Sequence, residues 1–152
     1  RPQVCWLGLG GMSLTKANGK PLDGPGLQAV YDQSPGTIAG VVHPVGHGQM
    51  AGAGRLLLDV AASKGAKLVV QVEERDGGKY NTFVDLPGDS TVKHLDLAFA
   101  DFKPAPDSND SNGTLDMDQV KQVLVLDATG LTGAVDQENT LWVGNVRTAP
   151  AK

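Results

Sequence analysis

From Leu27 to Arg147 the chain runs in short stretches in which apolar and polar residues alternate, most of them closed by Gly, Pro, Asp or Ser. A period of two sends successive side chains to opposite faces of a strand. The pattern predicts strands over Leu27–Tyr31, Thr37–His43, Arg55–Ala61, Lys67–Arg75, Lys79–Leu86, Thr91–Phe102, Val120–Leu126 and Thr140–Arg147. Within Thr91–Phe102, Leu95, Leu97 and Phe99 share one face and Asp96, Ala98 and Ala100 the other. Asp76-Gly77-Gly78 makes the clearest hairpin, because Asp-Gly and Gly-Gly supply the positive φ that primed turns need. Leu115–Gln119 reads as a short helical turn. No long segment carries a 3.6-residue period, and no internal repeat is visible. About eight strands at this spacing predict an all-β sandwich. Residues 1–26, broken by Gly8, Gly10, Gly11, Gly19, Gly24 and Gly26, read as an irregular N-terminal segment in which Trp6 and Leu7 are available as a lid. The sandwich domain is expected over 27–148, with 149–152 as a tail.

Composition supports this reading. A chain of 152 residues is one domain by size, and 40% hydrophobic content is enough for a core. Twenty glycines and nine prolines favour many turns over helix interiors. The net charge of -4, with Lys and Arg scattered, gives no basic stripe for nucleic acid. No apolar run approaches the ~20 residues of a helical membrane span. Cys5 is the single cysteine, so no internal disulfide forms. The opening Arg1-Pro2 reads as a processed or excised piece, with any targeting segment out of view.

Three stretches carry a resemblance. Phe99-Ala-Asp-Phe102-Lys-Pro104 matches an aromatic-x-x-Phe-x-Pro strand end. Leu115-Asp-Met-Asp-Gln-Val120 matches a Leu-Asp-x-x-x-Val/Ile turn. Leu141-Trp-Val-Gly-Asn-Val146 matches a closing strand of the form Leu-aromatic-Ile/Val-Asp-Asp/Asn-Ile/Val. In that order, over Arg55 to Arg147, they resemble the galactose-binding-like jelly rolls, in particular the group of carbohydrate-binding modules and the complex I assembly-factor domain. The resemblance implies a jelly-roll β-sandwich of about eight antiparallel strands and a binding role. It also implies a structural calcium held in part by a closing-strand Asp. That position is Gly144 here, which has no side-chain oxygen, and Asn145 is a partial substitute.

The residues themselves offer one coherent ligand face. Gln71, Glu73 and Arg75 alternate with Val70 and Val72. With a tight turn at Asp76-Gly77-Gly78, Tyr80 and Thr82 are expected beside them and Phe83 on the apolar side. Carboxylate, amide and guanidinium groups hydrogen-bond sugar hydroxyls, and a flat ring packs on a pyranose. A solvated sheet face with cross-strand charge pairs shows the same pattern. Trp142 joins a ligand side if Leu141 and Val143 face the core, and is a core residue otherwise.

Other motifs carry less. Adjacent Glu73 and Glu74 point to opposite faces and cannot straddle one glycosidic bond; Glu73 with Asp85 would need a slipped register. His43 and His47 have i,i+4 spacing, but Pro44 and Gly46 oppose a helix there, and only the fold could bring His94 or Cys5 to them as zinc ligands. Asp107–Gly113 looks like a calcium loop, with Ser108, Asp110, Asn112 and Asp116 at EF-hand-like positions, yet it lacks the leading Asp and the final Glu, where Gln119 stands. Gly8-Leu-Gly10-Gly-Met-Ser13 is a broken dinucleotide pattern. No serine elbow or cysteine–histidine nucleophile is present.

The sequence therefore predicts a non-catalytic carbohydrate-binding module of a larger protein, extracellular or in the cell envelope, taking a polysaccharide or oligosaccharide on Gln71, Glu73, Arg75, Tyr80, Thr82 and Trp142. No cofactor is expected, and a structural calcium is the one ion left open. The alternative is a protein-interaction or assembly domain of the same fold, favoured by an aromatic content of only 5%. No nucleic-acid partner and no membrane span are expected.

Overall fold

A computed structural model of the chain describes residues 6–152. Eleven strands form two antiparallel sheets. In chain order they are β1 (Leu7–Leu9), β2 (Ser13–Asn18), β3 (Pro25–Gln33), β4 (Ala39–Pro44), β5 (Arg55–Ala62) and β6 (Ala66–Glu74). Then come β7 (Lys79–Leu86), β8 (Lys93–Ala98), β9 (Lys103–Pro104), β10 (Val120–Asp127) and β11 (Gln137–Ala149). One sheet has six strands in the order β1-β4-β10-β6-β7-β9, and the other has five in the order β2-β3-β11-β5-β8. Two sheets stacked face to face bury their inner side chains between them. The fold is thus an all-β jelly-roll sandwich: the alternation predicts the sandwich, and the resemblance implies the jelly roll.

Alternation decides which residues reach the core. Leu56, Leu58 and Val60 of β5, Leu68, Val70 and Val72 of β6, Val123 and Val125 of β10, and Leu141 and Val143 of β11 all face inward. The turn expected at Leu115–Gln119 is a 3-10 turn at Met117–Gln119. The strand expected through Phe102 ends at Ala98. A second 3-10 turn, Phe99–Asp101, then folds Phe99 and Phe102 into the core, with ring centroids 5.4 Å apart.

Both chain ends are more regular than the pattern suggests. Residues 7–9 and 13–18, expected to be irregular, are β1 and β2. Each closes one edge of its sheet and leaves much of its length in solvent, so neither needs a buried apolar stripe. Their backbones pair with β4 and β3. Gly10 and Gly11 take positive φ in the turn that carries the chain from one sheet to the other, so the glycine-rich motif is a sheet-to-sheet connection and not a nucleotide loop. At the other end β11 runs to Ala149, and the Pro150 carbonyl accepts from Arg55 Nε at 2.9 Å, so the stretch expected as a tail is tied to β5.

Candidate functional site

The β6–β7 hairpin sets the site, and its register differs from the expected one by one residue. Its partners are Glu73↔Lys79, Gln71↔Asn81, Val70↔Thr82 and Val69↔Phe83. The turn closes through Gly77 N–H to the Glu74 carbonyl at 3.1 Å, with Gly77 at φ 100. Five residues, Glu74 to Gly78, lie between the last paired positions, as in a hairpin whose turn ends in a glycine bulge. A two-residue turn would have set Glu73 against Tyr80. The extra residue flips every β7 side chain to the other face.

This corrects two expected ligand residues. Tyr80 is 4% exposed and sits in the core, its hydroxyl donating to Asp110. Burial, then the Asp110 bond and charge, pushes its pKa well above the ordinary tyrosine range. Thr82 faces inward between Tyr80 and Val84. Arg75 is also committed elsewhere. Its guanidinium donates to the carbonyls of Val120 and of Val45, the latter at 2.9 Å, so it ties the start of β10 to the segment after β4. Trp142 lies on the outer face of the other sheet, because Leu141 and Val143 face the core, and its Nε1 donates to Gln28 Oε1 at 3.0 Å. The six predicted residues do not converge.

What does converge is the outer face of the six-stranded sheet. One row across it reads Leu7, Val42, Leu124, Gln71, Asn81 and Lys103. The next reads Leu9, Gly40, Leu126, Val69 and Phe83, spanning about 19 Å at ordinary strand spacing. Gly40 leaves room that Leu126 fills: a Cβ there would lie 2.5 Å from Leu126 Cδ2. On the polar side Gln71 Nε2 donates to Asn81 Oδ1 at 2.8 Å, Gln122 donates to Glu73, and Lys79 pairs with Asp107 at 2.7 Å. At the end of the apolar row Phe83 is 74% exposed. Phe83, Asn81 and Gln122 are the residues sequence reasoning missed. For the first two the turn length, not the composition, carried the signal.

The other motifs stay apart. His43 packs edge-on to Trp6 at 4.9 Å, His47 is exposed in a turn, and His94 Nδ1 meets Asp59 at 2.7 Å. Cys5 lies outside the described residues. The 107–113 loop does not wrap around one point as an EF-hand does, since Asn112 Nδ2 donates to Asp116 at 2.7 Å while Asp110 turns toward the hairpin. Glu73 and Asp85 stand six residues apart along the hairpin, about 20 Å, too far to flank one glycosidic bond.

Known structures share this architecture. A family 11 carbohydrate-binding module from Clostridium thermocellum, in complex with a β-1,3-1,4-mixed-linked tetrasaccharide, superposes with a TM-score of 0.72 at 16% identity, over 97% of this chain and 88% of that one. A point mutant of a family 29 carbohydrate-binding module matches with a TM-score of 0.60 at 12% identity, over 97% and 82%. An exo-β-agarase matches over 98% of this chain and 24% of its own, with a TM-score of 0.65 at 13% identity. No family model and no curated protein matches the sequence. The fold is that of the galactose-binding-like jelly rolls, to which the family 11 and 29 modules belong.

Proposed function

We propose that this domain binds carbohydrate without acting on it, on the outer face of the six-stranded sheet. The observation that carries the reading is Phe83, a large ring left 74% exposed next to the cross-strand pair Gln71–Asn81, with Glu73 and Gln122 in the row beyond. Such a ring packs against the apolar face of a pyranose. A Gln–Asn pair joined by one bond keeps spare donors and acceptors for vicinal hydroxyls. The likeness to carbohydrate-binding modules supports the same reading by analogy of fold. The wide separation of Glu73 and Asp85 supports binding without hydrolysis.

The test is affinity electrophoresis against a panel of soluble polysaccharides, with mixed-linked β-glucan among them, followed by calorimetry with oligosaccharides of the retained polymer. Phe83→Ala is expected to weaken binding about tenfold or more, ~1.4 kcal/mol, without loss of folding. Absence of retention on every polymer, or a Phe83→Ala variant that binds as the parent does, would overturn the assignment. The exposed Leu7 and Leu9 extend the same face with apolar surface, which is the feature favouring a protein partner as the second reading.

A further inference from the structure

The strongest unassigned chemistry lies at the far end of the hairpin. Glu74 closes β6 with its side chain turned inward, and it is 0% exposed. Oε2 accepts from the Asp116 N–H at 2.8 Å, while Oε1 has no hydrogen-bond partner. Two further carboxylates face it, Asp76 from the turn and Asp110 from the loop before β10. Oxygens of all three lie within 4.8 Å of one another.

The partners of these acids are neutral. Ser111 Oγ and the Gly78 N–H donate to Asp76, and the Tyr80 hydroxyl and the Asn112 N–H donate to Asp110. The two cations nearest in sequence are engaged elsewhere, Arg75 with backbone carbonyls and Lys79 with Asp107. Burial, with the Asp110 and Asp76 charges beside it, pushes the Glu74 carboxyl up to about 7, against the pull of the Asp116 N–H. Gly78 makes room for this arrangement: a Cβ there would stand 2.1 Å from Oε1.

Three clustered carboxylates with an unpaired buried oxygen call for a hard cation. Irregular oxygens from a turn and a loop suit the flexible shell of Ca2+ better than the strict octahedron of Mg2+. We propose that Glu74, Asp76 and Asp110 bind a calcium ion that staples the β6–β7 turn to the loop before β10. The two segments already touch, with the Asn109 N–H donating to the Gly77 carbonyl at 3.0 Å. The site is independent of the sugar reading. It lies on the other sheet from Gly144, where the resemblance would have placed a calcium ligand.

Thermal unfolding of the full chain in EDTA and in CaCl2 tests it, with calorimetric titration of CaCl2 alongside. At about a hundredfold excess over the dissociation constant, calcium is expected to raise Tm by about 5–10 °C, and MgCl2 to do less. Asp76→Asn and Asp110→Asn, both at accessible positions, should fold and lose the response, whereas Asp32→Asn on β3 should keep it. The competing account is a proton held on Glu74. It predicts no calcium shift in the parent and a Glu74→Gln variant at least as stable as the parent in EDTA. A parent whose Tm ignores about 10 mM CaCl2, or an Asp110→Asn variant that responds as the parent does, would sink the proposal.

Discussion

Asp127→Ala is expected to cost the fold about 3–5 kcal/mol, because several buried neutral donors lose their acceptor at about 1–3 kcal/mol each. Asp127 ends β10 and is buried between the sheets. Its Oδ2 accepts from the Tyr31 hydroxyl and from Gln33 Nε2 at 2.8 Å. Its Oδ1 accepts from the Thr129 N–H at 2.8 Å and from the Thr129 hydroxyl. The network continues through Asn139, whose Nδ2 donates to the Tyr31 hydroxyl at 3.1 Å and whose Oδ1 accepts from the Lys64 N–H at 2.9 Å. It therefore ties β3 and β11 of one sheet to β10 of the other. Alanine would strand buried donors on Tyr31, Gln33 and Thr129, each at the full cost of desolvation. Burial first, then the Asp127 charge and bond, holds the Tyr31 hydroxyl proton far above the ordinary range, so that donor stays a donor at any working pH.

Urea unfolding checks this through a lower midpoint at an unchanged slope. Tyr31→Phe removes one hydroxyl, which donates to Asp127 and accepts from Asn139, and should cost less, about 1–2 kcal/mol. Asp127→Asn keeps one acceptor oxygen and should fall between the parent and alanine. If alanine costs under about 1 kcal/mol, the carboxylate is not what binds the sheets at this end.

The sequence pattern and the structure agree wherever a strand has one wet face and one dry face. In β6, Val70 and Val72 lie inward and Gln71 and Glu73 outward, as the alternation requires. Agreement stops where a single residue shifts parity. The Glu74–Gly78 connection is one residue longer than a tight turn, so Tyr80 and Phe83 exchange faces although each residue type was identified. Asp-Gly-Gly permits either turn, with Gly77 at positive φ in both; the choice rests on Asp76, which a primed two-residue turn needs at positive φ and which does not take it here, and composition does not specify that. Edge strands fail differently. β1 and β2 are secured by backbone ladders and bury too little to leave a pattern. The Asp127 network was hidden for a third reason. Its members are 94 to 108 residues apart in pairs such as Gln33–Asp127 and Asn139–Tyr31, and each alone looks like a polar residue beside a turn. The acidic cluster is half legible in the sequence: Asp110 stands within a calcium-like loop, but its partners Glu74 and Asp76 come from another segment.

Neighbouring residues on β11 give the sharpest test of face assignment. Leu141→Ala is expected to cost about 2–5 kcal/mol, because Leu141 is fully buried in the middle strand of its sheet and the surrounding side chains close only partly over the space it leaves. Trp142→Ala removes a larger side chain but is expected to cost about 1–2 kcal/mol. The indole is half-buried on the outer surface, and its loss ends one bond to Gln28 and part of a ring contact. Size alone orders the two variants the other way, so denaturant midpoints decide between size and face. Retention on polysaccharide gives a second readout. Trp142 and Phe83 stand on opposite outer faces of the sandwich, which separates stability from binding. Trp142→Ala should lower the midpoint and leave retention unchanged, and Phe83→Ala should do the reverse. A Trp142→Ala variant that loses sugar while Phe83→Ala keeps it would move the binding surface to the five-stranded sheet, where Gln28 and Thr15 flank the indole in register.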